Sequence, residues 1–243
     1  MASFAGPNLI NDNLGFLFDA ANTDSYPGSG ITWFDIGPSK FEGTFYNASS
    51  TGGSNGPSFS SDNKGILDFD GSDWIRCDTL ATNFFAGRTK DFTLQTWVKP
   101  AFTADATRGD VLFSLHVGTT NRFRWQVKSN AIFLSDVNAS GDTNYSHSTL
   151  AANEWHFYTF VGDNVNNKIH IYLDTELVAS PNMNTAFGES DIDRGSIGQE
   201  WDGGPTPSEY LQAPMAMLVG YESAFNISQV RQNYHAFKGR FGL

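Results

Sequence analysis

Cysteine, basic residues and long apolar runs are all scarce in this sequence of 243 residues. Its single cysteine, Cys77, excludes an internal disulfide, so the core alone must hold the fold together. Lysine and arginine number 15 against 26 aspartates and glutamates, which gives a formal net charge of −11. Nucleic-acid binding draws its affinity from clustered basic residues, so we expect no nucleic-acid partner.

Signals for membrane insertion or export are also missing. No apolar run reaches the roughly 18 residues of a membrane-spanning helix. The first residues, MASFAGPN, carry neither the basic segment nor the apolar stretch of a secretion signal. We therefore expect no membrane partner and no export through the Sec pathway.

Aromatic residues and glycines are plentiful, at 14% of the chain and 24 residues respectively. Phe92 and Leu94 alternate with Thr93 and Gln95, the period-two pattern of a strand with two distinct faces. Further strands are expected at 14–20, 65–70, 74–77, 111–117, 123–127, 131–137, 154–161, 169–173 and 215–220. These segments predict an all-β fold: an antiparallel jelly-roll sandwich with roughly six or seven strands in each of its two sheets.

The length fits one sandwich, because a single all-β domain runs to about 200–250 residues. We expect one domain over residues 1–243, with a short N-terminal extension at 1–12. One helix is predicted near the end, from about Ile227 to Phe237. Asn226 is its expected N-cap, Gln229 completes a capping box, and Gly239 is the expected left-handed stop.

Several segments resemble the laminin-G-like, concanavalin A-like lectin/glucanase domains found in structural proteins of tailed phages and related viruses. They are 14–35 (LGFLFDAANTDSYPGSGITWFD), Gly43-Thr44, 67–71 (LDFDG), Ile197-Gly198, Asp202-Gly203 and 221–243. The resemblance spans nearly the whole chain, but its motifs are mostly structural and specify a fold more strongly than a ligand. Where relatives often turn a hairpin with Asn-Gly, this sequence has Asp174-Thr175, so a longer or less ideal turn is expected there, because the β-branched Thr175 disfavours a positive φ.

The resemblance implies a module on the exterior of a virion, made without a signal peptide in the host cytoplasm. It is expected to be a capsid decoration or knob protein, or part of a tail adhesin, with glycan binding in host attachment. The implied partners are other virion subunits and a host-surface glycan, and the chain could form a homo-oligomer. A purely architectural capsid protein is one alternative.

The other alternative is a glycoside hydrolase or lyase of the same fold. Catalysis on glycosides needs two carboxylates about 5–10 Å apart. Glu200 and Asp202 form only the first half of a Glu-x-Asp-x-Glu arrangement, because Gly203 and its neighbours supply no third carboxylate. We therefore expect no enzyme activity and no catalytic residue.

A glycan site needs an aromatic platform beside polar groups, since a sugar ring has an apolar C–H face and a belt of hydroxyls. The segment 199–210 offers both, and 142–147 is a second candidate. The candidate glycan-binding residues are Trp201, Tyr210, Glu200, Asp202, Tyr145 and His147. No cofactor is expected; the alternative is a calcium ion at the sandwich rim, with Asp35, Asp70 and Asp73 as weak candidate ligands.

Overall fold

The structure is a computed structural model that describes residues 7–48, 56–87, 89–102, 109–118, 120–136, 143–182, 190–201 and 207–243. In chain order the strands are β1 (Leu14–Asp19), β2 (Thr32–Phe34), β3 (Glu42–Asn47), β4 (Ser58–Ser60), β5 (Ile66–Asp68), β6 (Asp73–Arg76), β7 (Phe92–Val98), β8 (Asp110–Val117), β9 (Thr120–Lys128), β10 (Ala131–Asp136), β11 (Thr143–Ser146), β12 (His156–Asp163), β13 (Lys168–Leu173), β14 (Glu176–Ala179), β15 (Arg194–Ile197), β16 (Glu200–Trp201), β17 (Pro207–Ser208) and β18 (Pro214–Tyr221). Helix α1 (Asp78–Leu80) continues into a π-helical segment, Ala81–Phe85, and helix α2 spans Ile227–Phe237.

Two antiparallel sheets of eight strands each form a sandwich. The back sheet has the order β14-β13-β12-β7-β18-β5-β4, with β1 also paired to β18. The front sheet has the order β11-β10-β9-β8-β15-β6-β3-β2. The predicted all-β sandwich is confirmed, with more strands per sheet than the sequence suggested.

Aromatic rings from both sheets fill the space between them. Phe92 and Phe160 of the back sheet stack with their ring centres 5.8 Å apart. Phe123 of the front sheet lies 5.2 Å from Phe160 and so joins the two layers. The predicted alternation along β7 is confirmed, because Phe92 and Leu94 belong to this core.

A second apolar cluster covers the outer face of the back sheet, where α2 packs. Trp97, on the opposite face of β7 from Phe92, stacks on Tyr234 of the helix at 5.3 Å. Val230 is fully buried in the same cluster. A strand that is buried on both faces needs cover on both, and α2 supplies the second cover.

The helix end predictions are partly confirmed. The Asn226 side chain accepts from the backbone N–H of Ser228 and Gln229, and the Gln229 side chain returns a bond to the Asn226 N–H, forming the expected capping box. The expected stop at Gly239 is wrong, since that residue lies inside a 3-10 turn over Lys238–Arg240. The left-handed glycine comes later, at Gly242 with φ 76°. Among the described residues, no helix is both long and apolar enough to cross a membrane.

The hairpin between β13 and β14 is tighter than expected. Only Asp174 and Thr175 separate the two strands. Asp174 adopts a positive φ of 55°, so the β-branched Thr175 does not have to adopt one. The Asp174 carboxylate accepts from the Phe157 N–H at 2.9 Å and so holds the turn against β12. The turn is not longer, because an aspartate tolerates the left-handed region and is anchored here. The expectation of a less ideal turn is confirmed, since an ideal type I′ turn needs a positive φ at both positions and only Asp174 has one.

Asn233 is the buried polar contact that fixes α2 on the sheet. Its side-chain amide donates to the Gln95 Oε1 at 2.7 Å and to the Tyr221 hydroxyl at 2.9 Å. Its oxygen accepts from the Ile10 N–H at 3.0 Å. The N-terminal segment, two strands and the helix therefore share one satisfied network, which disfavours any shift of the helix.

Replacing Asn233 with alanine is expected to lower the free energy of unfolding by about 1–3 kcal/mol, because buried partners then lose their hydrogen bonds. Chemical denaturation of wild type and variant measures the change. His235→Ala, an exposed change on the same helix, is the control and should have little effect. Equal stabilities for Asn233→Ala and wild type would show that this network does not hold the helix.

Candidate functional site

The segment that was predicted to bind glycans folds back over the front sheet. Strands β16 and β17 pair with each other and lie on the outer face of β8 and β9. Two small side chains make room for this hairpin: Ser114 and Ser196 are cross-strand partners with hydroxyls 3.1 Å apart. The Ser114 hydroxyl donates to the Gln199 carbonyl at 2.6 Å, which fixes the approach of the segment. Asp202 lies outside the described residues.

Trp201 is packed into this face rather than exposed on it, with 4% of its surface accessible. Its ring meets Trp74 edge-on at 5.1 Å and His116 edge-on at 5.0 Å. The guanidinium of Arg194 lies 5.5 Å from the ring centre. The expectation that Trp201 forms an exposed sugar platform is wrong, because its neighbours occupy the surfaces that a sugar would contact.

Glu200 shares one arginine with a second carboxylate. Nη1 of Arg124 is hydrogen-bonded to Glu200 Oε1 and, at 2.7 Å, to Glu209 Oε2. Glu200 is only 1% exposed. Burial raises the pKa of Glu200 to about 8, because the attraction of Arg124 only partly offsets the lost hydration and Glu209 adds a like charge. A carboxyl this enclosed is not accessible to the oxygen of a glycosidic bond.

The candidates from the second predicted loop, Tyr145 and His147, do not join Glu200 and Trp201 in one site. Tyr145 lies on the edge strand β11 and packs against the core between the sheets, away from the outer face. His147, just beyond that strand, is bonded through Nδ1 to the Ser148 carbonyl at 2.7 Å. Tyr210 is half-buried near the hairpin, and burial raises the pKa of its hydroxyl. The structure therefore separates the two predicted loops.

The candidate calcium ligands serve as backbone anchors. The Asp35 carboxylate accepts from the N–H of Leu17 at 2.7 Å and of Gly37 at 2.6 Å. Asp70 accepts from a neighbouring serine, and Asp73 from an asparagine side chain. Within the described part of the chain, no three side chains of metal-binding type come together.

Sequence reasoning missed an aromatic pair on the outer face of the front sheet. Tyr46 of β3 stacks on Trp74 of β6, with ring centres 4.5 Å apart and planes at 22°. Tyr46 is half-exposed, whereas Trp74 is buried between it and Trp201. The period-two pattern of β3 could have indicated that Tyr46 lies on an outer face, because residues 42, 44 and 46 alternate with the buried residues 43 and 45.

Two arginines flank this aromatic pair on the same face, which we call the front site (Tyr46, Trp74, Arg76 and Arg194). Arg76 is bonded to Asp78 at 2.6 Å, and its side chain is 36% exposed. Arg194 has no salt bridge among the described residues and is held by the Trp201 ring. Arg76 pairs with Ser196, two residues from Arg194 on the same strand, so both guanidinium groups lie on one face. The front site thus joins an aromatic surface to hydrogen-bond donors.

The burial of Glu200 predicts a pH-dependent stability. Between the ordinary glutamate pKa of 4.5 and the folded value of about 8, the folded chain keeps a proton on Glu200 that the unfolded chain has lost. The contribution of Glu200 to stability is therefore fully present below pH 4.5 and is lost as the pH rises towards 8. Its slope approaches about 1.4 kcal/mol per pH unit. Glu200→Gln should flatten this decline in thermal or chemical denaturation, and Glu42→Gln, an exposed change, should not. Parallel curves for Glu200→Gln and wild type would contradict the assignment.

Solved structures with the same fold are known at low sequence identity. Domain 4 of AbnA, a GH43 extracellular arabinanase from Geobacillus stearothermophilus solved with arabinotriose, aligns with a TM-score of 0.66 at 15% identity, covering 91% of this chain and 98% of that one. The binding domain of botulinum neurotoxin DC in complex with rat synaptotagmin II aligns with a TM-score of 0.66 at 12% identity, covering 94% and 52%. The same binding domain in complex with SialylT gives 0.65 at 10% identity, covering 93% and 52%. The chain thus spans about half the length of the toxin domains.

A search of curated proteins with this sequence found no match. The family described as the concanavalin A-like lectin/glucanases superfamily matches residues 69–231, which is more than half of the chain. The match runs from the end of β5 into α2 and so includes strands of both sheets. The chain belongs to the concanavalin A-like lectin/glucanases superfamily.

Proposed function

We propose that this chain is a non-enzymatic saccharide-binding module carried on the outside of a virus particle, and that the front site binds the saccharide. The observation that carries the proposal is the half-exposed ring of Tyr46, stacked on Trp74 beside two arginines. An aromatic ring accepts the C–H face of a sugar, and guanidinium groups donate to its hydroxyl or carboxylate oxygens. The superfamily membership agrees with this role.

The front site is held in place before any ligand binds. Trp74 is fixed between Tyr46 and Trp201, and Trp201 in turn contacts Arg194. Rings and guanidinium groups that are already ordered lose little conformational entropy on binding. The buried Trp201 therefore acts as a support for the site and not as its contact surface.

The similar structures support saccharide recognition as the function class. The arabinanase domain was solved with arabinotriose, and the toxin binding domain was solved with SialylT. For this chain the same class of ligand is a proposal, because a fold hosts many functions and only the site decides between them.

The viral location is the part of the proposal that rests on the resemblance of residues 14–35 and 221–243. A capsid decoration, knob or tail adhesin would place the front site towards a host-surface glycan and other surfaces against virion subunits or a second copy of the chain. Against the hydrolase alternative, Glu200 is 1% exposed and bonded to Arg124, so it is not placed to protonate a leaving group.

Tyr46→Ala is expected to weaken saccharide binding at least several-fold, because a stacking contact contributes on the order of 1 kcal/mol beyond area burial. A glycan array and a host-cell binding assay measure the loss. Tyr46→Phe keeps the ring and should retain most of the binding. The melting temperature of each variant has to be unchanged for the comparison to hold.

Two results would overturn the proposal in different ways. Array binding that is absent in wild type, or equal in wild type and Tyr46→Ala, would favour an architectural role. Release of reducing ends from laminarin, agarose or carrageenan, abolished by Glu200→Gln, would instead assign the chain as a hydrolase.

A further inference from the structure

Helix α2 leaves part of the back sheet uncovered. The helix has 11 residues, and at about 1.5 Å per residue it is about 16 Å long. Because β1 and β5 pair with the same edge of β18, the sheet is seven strands wide. Seven strands spaced about 4.8 Å apart span about 29 Å, so the helix covers only part of the outer face whatever its direction. The edge strand β14 and its neighbour β13 border a groove of about 550 Å³ beside the first turns of α2. We call it the lateral groove. Its volume is that of a small-ligand site, which typically measures about 300–1,000 Å³.

One wall of the lateral groove is an apolar strip. Tyr172 and Leu177 are cross-strand partners on β13 and β14, so their side chains share the face that borders the groove. Phe225 and Ile227 line it from the helix side. Leu177 remains 53% exposed, although it lies next to this apolar surface. Tyr172 and Phe225 are themselves buried, so the apolar contact open to a ligand comes from Leu177 and the half-buried Ile227.

One end of the groove carries polar groups in a fixed arrangement. His170 Nδ1 lies 2.9 Å from the Ser180 hydroxyl, and its Nε2 lies 3.7 Å from Asp163 Oδ2. The amide of Asn166 donates to the same Asp163 oxygen at 2.8 Å. These contacts fix the side chains, so a ligand meets an ordered imidazole and carboxylate.

Opposite charges lie on the two walls and are free to bind a ligand. Glu176 comes from the β13–β14 hairpin and Arg231 from α2, and both line the groove and are exposed. Neither has a salt bridge to another described residue. A carboxylate that accepts and a guanidinium that donates, placed on either side of an apolar strip, complement the hydroxyl belt and the C–H face of a sugar.

The charge of the groove selects among ligand classes. Two carboxylates, Asp163 and Glu176, line the groove against the single guanidinium of Arg231, which disfavours phosphorylated, sulfated or carboxylated ligands. A purely apolar ligand would desolvate Glu176 and Arg231 without replacing their hydrogen bonds to water. An uncharged oligosaccharide has no negative charge for the carboxylates to repel, and its hydroxyls can replace the hydrogen bonds of Glu176 and Arg231 to water.

We propose that the lateral groove is a second saccharide site, specific for an uncharged oligosaccharide, which makes the single chain bivalent. This inference rests on the proposed function for its ligand class, but it rests on a different set of residues on the opposite sheet. Two sites on opposite faces of the sandwich bind two glycan chains at once and not one chain twice.

Isothermal titration with arabinotriose, laminaritriose, cellotriose and maltotriose tests the groove. At least one of these uncharged probes should bind wild type saturably. Leu177→Glu places a charge on the apolar strip, and Arg231→Ala removes the donor; each should weaken that binding at least ten-fold. Val165→Glu, a matched change at a side chain that is 81% exposed and is not among those lining the groove, should leave it unchanged.

The two sites can fail separately. If no probe binds, or if Leu177→Glu binds as wild type does, the lateral groove is not a saccharide site. If Tyr46→Ala still abolishes binding on the glycan array in that case, the proposed function stands without the second site. If Leu177→Glu removes binding of the trioses and Tyr46→Ala does not, the groove stands and the front site fails.

Discussion

The apolar outer face of the back sheet has to be covered, and this requirement organises the molecule. Every residue of β7 is buried, because one face of the strand lies on the core between the sheets and the other lies under α2. Stacking of Trp97 on Tyr234 and the hydrogen bonds of Asn233 hold the helix in register. The position of the helix then determines which part of the back sheet stays open, and so where the lateral groove forms.

The outer face of the front sheet is covered in a different way. It carries serines and arginines, and the β16–β17 hairpin, not a helix, covers part of it. Ser114 and Ser196 are small enough for the β16–β17 hairpin to lie on them, and Arg124 holds the hairpin through Glu200 and Glu209. Elsewhere on this face the half-buried Tyr46 stacks on Trp74. The two proposed sites therefore differ in their charged groups: the front site carries arginines, and the lateral groove carries two carboxylates and one arginine.

Local sequence patterns were sufficient for the elements but not for the surface. The alternation along β7 and the capping box at Asn226 depend on residues within a few positions of each other, and both were predicted correctly. The burial of Trp201 depends on contacts with Trp74 and His116, which are distant in sequence. A tryptophan between glycines and prolines reads as an exposed loop residue, and only the packing of the hairpin on the sheet shows otherwise.

The most direct test of saccharide recognition by these two surfaces is a two-dimensional amide NMR titration of the intact chain with a saccharide from the host surface that it binds. We expect chemical-shift changes in two separate groups, one around Tyr46 and Arg194 and the other around Leu177 and Arg231. Changes confined to the loop around Asp35 at the rim, or a spectrum unchanged by every saccharide, would contradict it.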